Sequence, residues 1–208
     1  SYGIREGVLY EQMPGRLRDR DPLIEACRYS EAKDARQAGF GKKIFNFVLP
    51  LFEDPPEHLM RLIKAACLLH DVNWRAHPDY RSEVCFDTAT RANLGGLKHS
   101  ERVFLGSALM YRYRNQPEGT RFDPLIALLT EGDSYLSKVL GKAMRLGAML
   151  WDTGATAPAR LEWQPKTQNL ILHLSEDKRT LNGEVVEARF ASLAHTMGAN
   201  HQIAIAQD

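Results

Sequence analysis

The sequence predicts a mainly α protein: a helical body followed, after about residue 152, by a small α+β tail. Three observations lead there. Apolar residues recur at three- and four-residue steps through two long segments, 56–73 and 134–150. Small polar residues and proline gather at 153–158, and behind them the pattern changes to short runs with strand character. A content of 44% apolar and 25% charged residues is that of a packed chain rather than a disordered one. The 208 residues suffice for one large domain or two small ones.

Each element has a local cause. Residues 4–12 are short and amphipathic, are closed by the Pro14-Gly15 turn signal, and read as the end of a preceding unit. Asp21-Pro22 opens a helix, a capping carboxylate followed by proline at the first helical position, with Leu23, Ile24 and Cys27 along it. A second helix at 41–52 carries Ile44, Phe47, Val48 and Leu51, and Pro50 distorts or ends it. The helix at 56–73 repeats Leu59, Leu62, Ile63, Ala66 and His70 at helical steps. A loop at 74–81 precedes helices at 83–92 and 100–114, a loop at 117–123 and a short helix at 124–130. Along 134–150, Leu136, Val139, Leu140, Ala143, Leu146 and Leu150 form one face, and Lys138, Lys142 and Arg145 form another. In the tail, 160–163 and 169–174 read as strands joined by 164–168. Residues 185–197 form a helix with Val186, Phe190, Leu193 and Met197 on one side, and 202–206 form a last strand.

The formal charge of +1 makes the whole chain no polycation, so any site for a polyanion has to come from local clustering. Cys27, Cys67 and Cys85 are odd in number and show no zinc spacing, which points to free thiols in a reducing cytoplasm. No secretory leader and no run of bilayer length is visible, so a soluble cytoplasmic protein is expected, with no membrane partner. Gly-rich phosphate loops with lysine, Cys-x5-Arg, Gly-x-Ser-x-Gly and zinc-finger spacings are absent. Tyr10, Trp74 and Trp163 make no stacking platform, so no nucleic-acid partner is expected.

Three clusters carry potential chemistry. His70-Asp71, adjacent near a helix end, is the centre of the HD metallophosphohydrolase signature, in which such a pair helps to bind a divalent ion that activates water. That chemistry needs about four converging ligands. His58 is the first histidine of the chain, no helix of residues 1–57 supplies an earlier one, and Asp123 or Asp133 could serve as the late aspartate, which still leaves only two or three ligands. A structural His70, bonded within the core, is the reading adopted, and the pair is at most a degenerate metal site. The second cluster, 74–81, holds Arg75, His77 and Arg81 with Trp74 and Tyr80; its arginine forks suit phosphate oxygens, and Arg112 and Arg114 could join them. A solvated loop pinned by its aromatics would look the same. The third, Lys138, Lys142 and Arg145, lies on one helix face and could track a polyanion, although a solvated face has the same pattern.

Three segments resemble the exopolyphosphatase/guanosine pentaphosphate phosphatase family. Residues 3–11 (Gly-Ile-Arg-Glu-Gly-Val-Leu-Tyr-Glu) are similar to a segment near the end of its actin-like phosphatase core. Residues 65–81, with the string Trp-Arg-Ala-His-Pro-Asp-Tyr-Arg, resemble the start of its HD-like helices. Residues 108–114 are similar to a helix ending in a Tyr-His-Arg-like motif, with Tyr113 in place of the histidine. The resemblance implies a mainly α fold, an HD-like helical bundle followed by a small α+β (ferredoxin-like) domain. It implies a division into 1–15 (remnant of the phosphatase core), 16–133 (HD-like domain) and 134–208 (helix plus α/β domain). The parent activity it implies is hydrolysis of terminal phosphoanhydrides of inorganic polyphosphate or of guanosine pentaphosphate, with magnesium, often as a homodimer. This chain would contribute polyphosphate binding and dimerisation, through Arg75, His77, Arg81, Arg112, Arg114, Lys138, Lys142 and Arg145, with no cofactor and no complete catalytic site of its own. The rival expectation is an autonomous metal-dependent phosphohydrolase using His70 and Asp71.

Overall fold

A computed structural model describes residues 4–115, 119–151, 159–175 and 183–205, with Arg5 and Glu6 as backbone only. Its architecture is a helical body with a small α+β tail. Helix α1 (Ile4–Gln12) and the single turn α2 (Gly15–Arg18) leave Ile4, Val8, Leu9, Tyr10, Met13 and Leu17 exposed. Pro14-Gly15 therefore ends one helix and starts another turn. Helix α3 (Pro22–Asp34) opens as expected: Asp21 Oδ1 accepts from the Leu23 N–H at 2.9 Å, with Pro22 at the first position. Helix α4 (Phe40–Val48) passes into a 3-10 turn, Leu49–Leu51, where Pro50 interrupts the regular helix. Gly41 lies so close to α5 (Glu57–Leu69) that a Cβ there would sit 2.7 Å from the Cys67 carbonyl. The buried Glu31 carboxylate accepts from the Gly41 N–H at 2.7 Å and locks α3 to α4.

Helix α5 is shorter than its apolar periodicity implied. His70 caps it and the chain leaves in tight turns, with Val72 N–H bonding Leu69 O and Trp74 N–H bonding Asp71 O. The periodicity runs past the true end because the turn residues also face the core. Helix α6 (Pro78–Arg91) starts five residues earlier than expected, with His77 as cap and Pro78 at the first position, so much of the expected 74–81 loop is helical. Helix α7 (His99–Tyr113) matches its expected span within a residue. The short α8 is Asp123–Ile126. Helix α9 (Glu131–Leu150) begins at Thr130, whose hydroxyl accepts from the Asp133 N–H at 3.0 Å; a boundary between 133 and 134 would fall in its first turn. Helices α7 and α9 press together where Gly141 faces the Ala108 carbonyl and Tyr111, leaving no room for a Cβ.

In the tail, β1 (Ala159–Gln164) and β2 (Asn169–Leu174) pair antiparallel, from Ala159↔Leu174 to Gln164↔Asn169. Helix α10 (Glu184–Met197) ends at Gly198, with φ +64°, and returns the chain as β3 (Asn200–Ile205), parallel to β2. The order β1-β2-β3 keeps β2 and β3 adjacent, whereas a ferredoxin-like unit would split that βαβ crossover with another strand. The last strand begins two residues earlier than expected; Ala206, the 153–158 linker and residues 117–118 lie outside the described residues. Leu161, Leu170, Leu172, Leu174, Val186 and Phe190 belong to the same buried cluster as Leu23, Ile63 and Leu140, so tail and body share one core. Among the described residues, no helix is long and apolar enough to cross a membrane.

Candidate functional site

The His-Asp pair sits where α5 ends, under the C-terminal end of α7. His70 is 2% exposed; its Nδ1–H donates to the Cys67 carbonyl at 2.8 Å and its ring tilts against Phe40, with centroids 5.4 Å apart. Burial, then the field of Arg112, pushes its pKa down to about 4, so the imidazole is neutral. Asp71 is buried too, and a guanidinium takes both of its oxygens. Arg36 Nε donates to Oδ2 and Nη2 to Oδ1, each at 2.8 Å, and the Tyr113 hydroxyl donates to Oδ1 at 3.3 Å and to the His70 carbonyl at 3.0 Å. Burial alone would raise the Asp71 pKa, but the Arg36 fork and the surrounding cations outweigh it and hold the carboxylate below its ordinary value.

A divalent ion does not fit this donor set. One carboxylate is already forked by an arginine, the one histidine spends Nδ1 on a carbonyl, and a second arginine, Arg112, lies close enough to depress that histidine. Among the described residues, no three His, Cys, Asp or Glu side chains gather to hold a metal. Asp123, one candidate for the late ligand, instead accepts from the Gly119 and Thr120 N–H groups, and Asp133 accepts from the Thr130 hydroxyl. Nor is there a reactive thiol: burial pushes Cys27 and Cys85 up to about 12 and Cys67 higher still.

The arginines of the second cluster divide. Arg75 is exposed and lies 4.7 Å from the centre of the Trp74 ring, with Arg36 at 5.8 Å from the same ring. His77 is exposed and caps α6, accepting weakly from the Asp79 N–H at 3.4 Å. Arg81 turns inward: Nε and Nη2 both donate to the Ala76 carbonyl, at 3.0 and 2.9 Å, which pins the turn after α5. Arg112 is buried, with its Nε unpartnered, and covers one side of Tyr113 at 4.6 Å; Arg81 lies 5.4 Å from the same ring. Burial depresses the Arg112 pKa. Arg114 is exposed at the end of α7.

The third cluster is more than a solvated face. Lys142 Nζ donates to Thr196 Oγ1 at 2.8 Å, to Ser192 Oγ at 3.1 Å and to the Ser192 carbonyl at 3.4 Å, which ties α9 to α10. Arg145 Nη1 donates to the Tyr113 carbonyl at 3.1 Å, and Arg189 from α10 donates to the Arg145 carbonyl at 3.3 Å. Lys138 points toward Tyr111 at 5.9 Å. Burial lowers the Lys142 pKa, with Lys138 and Arg145 adding to it; burial, Arg145 and Arg112 do the same to Arg189. None of these four cations forms an ion pair with a described carboxylate. They border two adjoining clefts, of about 760 and 280 Å³, which share Asn115 and Lys142 as a common wall. Asn115 is held there by the Ser192 hydroxyl at 2.7 Å.

Tyr113 thus joins the two halves: its hydroxyl and ring belong to the Arg36–Asp71–Arg81–Arg112 cluster, its carbonyl to Arg145. The electrostatic coupling of Arg36 with Arg112, Arg112 with Arg189, Arg189 with Arg145, and Lys142 with Arg145 and Lys138 makes one belt of cations. Arg36 and Arg189 are the members that sequence reasoning missed. Arg36 lies in a short polar connection, and Arg189 borders the apolar face of α10 without any motif. The charge and extent of such a belt suit an extended anion.

A sequence model of the family described as "Exopolyphosphatase, C-terminal" matches residues 41–204, most of the chain. No curated protein matches the chain significantly.

Proposed function

The chain belongs to the exopolyphosphatase C-terminal family, and from that premise we propose that it is a polyphosphate-binding region, with the α9–α10 groove as its principal contact. The observation that carries the reading is the quartet Lys138, Lys142, Arg145 and Arg189, which flanks two adjoining clefts and forms no ion pair with a described carboxylate, while Asp123 and Glu131 also line the larger cleft. Four cations held near one another and partly desolvated repel, and a polyanion relieves that repulsion. Arg75, His77 and Arg114, all exposed, extend the surface; Arg81 and Arg112 support it from within. Phosphoanhydride hydrolysis, whether of polyphosphate or of guanosine pentaphosphate, belongs in this reading to the parent phosphatase, and so does its magnesium.

The test is binding of inorganic polyphosphate to the purified chain as salt is raised. By analogy with nucleic acids, about four neutralised phosphates give a log–log slope of roughly −3, and Arg189→Gln or Arg145→Gln lowers it by about 1. Binding that ignores salt, or is absent at low salt, overturns the reading. A homodimer remains part of the proposal and is read from the mass in solution by light scattering. The rival metal enzyme needs Asp71 released from Arg36; stoichiometric metal lost on His70→Ala would establish it.

A further inference from the structure

We propose that Lys142 is a self-directing acylation site: acyl phosphates seat their phosphate on Arg145 and Arg189, which line the smaller cleft beside it, and transfer the acyl group to the Lys142 amine. The modification does not depend on polyphosphate binding; its consequence, weakened polyanion affinity, rests on that reading.

Position and hydrogen bonding distinguish Lys142 from the other lysines. It is half-buried, yet it lines both clefts, so a small reagent reaches it from either side. Its Nζ contacts neutral oxygens only. Both hydroxyls it touches have already spent their protons: Ser192 Oγ donates to Asn115 Oδ1 at 2.7 Å, and Thr196 Oγ1 donates to the Ser192 carbonyl at 3.0 Å. They can only accept from Lys142. When the ammonium loses a proton, two N–H groups stay on the two hydroxyls, the 3.4 Å contact to the carbonyl is given up, and no described donor ties down the lone pair. An amine desolvated among other cations is a stronger nucleophile at neutral pH than a free surface lysine. Lys138 and Arg145 stand one turn before and one turn after it on α9, and Arg189 faces it from α10. This arrangement offers the phosphate of a bound acyl phosphate cationic partners beside the amine.

The step balances without a further reactant. The Nζ lone pair attacks the acyl carbonyl carbon, the N–C bond forms, and the C–O bond to phosphate breaks. Inorganic phosphate leaves with the electron pair and the nitrogen's surplus proton is released. The product is a neutral amide, and the groove loses one positive charge.

The experiment treats the purified chain with acetyl phosphate and, separately, with acetic anhydride, which acylates without a phosphate group, and maps sites by mass spectrometry. Acetyl phosphate is expected to label Lys142 roughly five-fold faster or more than the exposed Lys98 and Lys166, a modest share of what proximity can supply. Acetic anhydride is expected to favour Lys98 and Lys166. Arg145→Gln with Arg189→Gln, checked for retained helicity, should remove the acetyl phosphate preference, and added pyrophosphate should suppress it. Lys142 labelled no faster than Lys98 by acetyl phosphate, or equally preferred by the anhydride, overturns the proposal. The acetylated chain and Lys142→Gln should also bind polyphosphate more weakly. Unchanged affinity after acetylation would sink the polyphosphate reading while leaving the acylation site intact.

Discussion

Replacing Arg36 by glutamine leaves the buried Asp71 carboxylate with the Tyr113 hydroxyl, at 3.3 Å, as its remaining described hydrogen-bond donor and Arg112 as a nearby cation. Removing one partner of a fully buried ion pair costs about 3–5 kcal/mol. The Asp71 side chain is 7% exposed but that of Arg36 is 56% exposed, so water screens part of the loss and roughly 2–3 kcal/mol is the expectation. For a chain of this size that is a melting shift of roughly 5–10 °C. The assay is denaturant unfolding followed by tryptophan fluorescence, since Trp74 lies under Arg36, on wild type, Arg36→Gln, Asp71→Asn and the double variant. The double variant should lose clearly less than the sum of the singles, with a coupling of about 1.5 kcal/mol or more. The pH dependence adds a second readout. The folded-state pKa of wild-type Asp71 lies below its unfolded value, so its contribution is present above about pH 4 and is lost as pH falls through the folded pKa. In Arg36→Gln, burial instead favours the protonated acid, so the gap between the two proteins should be widest near neutrality and close in acid. Additive effects within about 0.5 kcal/mol, or a gap independent of pH, would refute the idea that a guanidinium takes the position a metal would need.

Three further outcomes are expected. Gly141→Ala forces a Cβ into the Ala108 carbonyl and Tyr111 and should cost about 2–3 kcal/mol in thermal or chemical unfolding, because two packed helices must separate; a cost below about 0.5 kcal/mol would contradict that close approach. His70 is buried neutral with its pKa lowered to about 4, so the unfolded chain binds the extra proton between about pH 6.5 and 4; stability should fall as pH drops through that window, and His70→Gln should flatten the slope. Arg81→Ala removes both bonds to the Ala76 carbonyl and should speed amide exchange through residues 70–77, with helix α3 as the unaffected reference.

The helical body and the mixed tail were legible in the sequence because amphipathic periodicity and proline punctuation are local properties. The Asp21-Pro22 start and the α7 span were read this way and agree with the structure within a residue. The same kind of signal, His77-Pro78, opened α6 earlier than expected because the basic, aromatic residues around it suggested a loop. The end of α5 was not legible: Val72 continues the apolar rhythm, while the chain is turned by Arg36 and Tyr113, which are 35 and 42 residues away from Asp71 in sequence.

The same division holds at the candidate site. One-dimensional pattern was enough to determine the family, the mainly α architecture and the α9 stripe of Lys138, Lys142 and Arg145, since steps of three and four residues place side chains on one face whatever surrounds them. Only the tertiary structure decided that Arg112 is buried, that Arg81 braces a turn, that Arg36 occupies Asp71, and that Arg189 completes the groove from another helix. Burial and ion pairing are set by which elements meet, and those meetings join residues far apart along the chain.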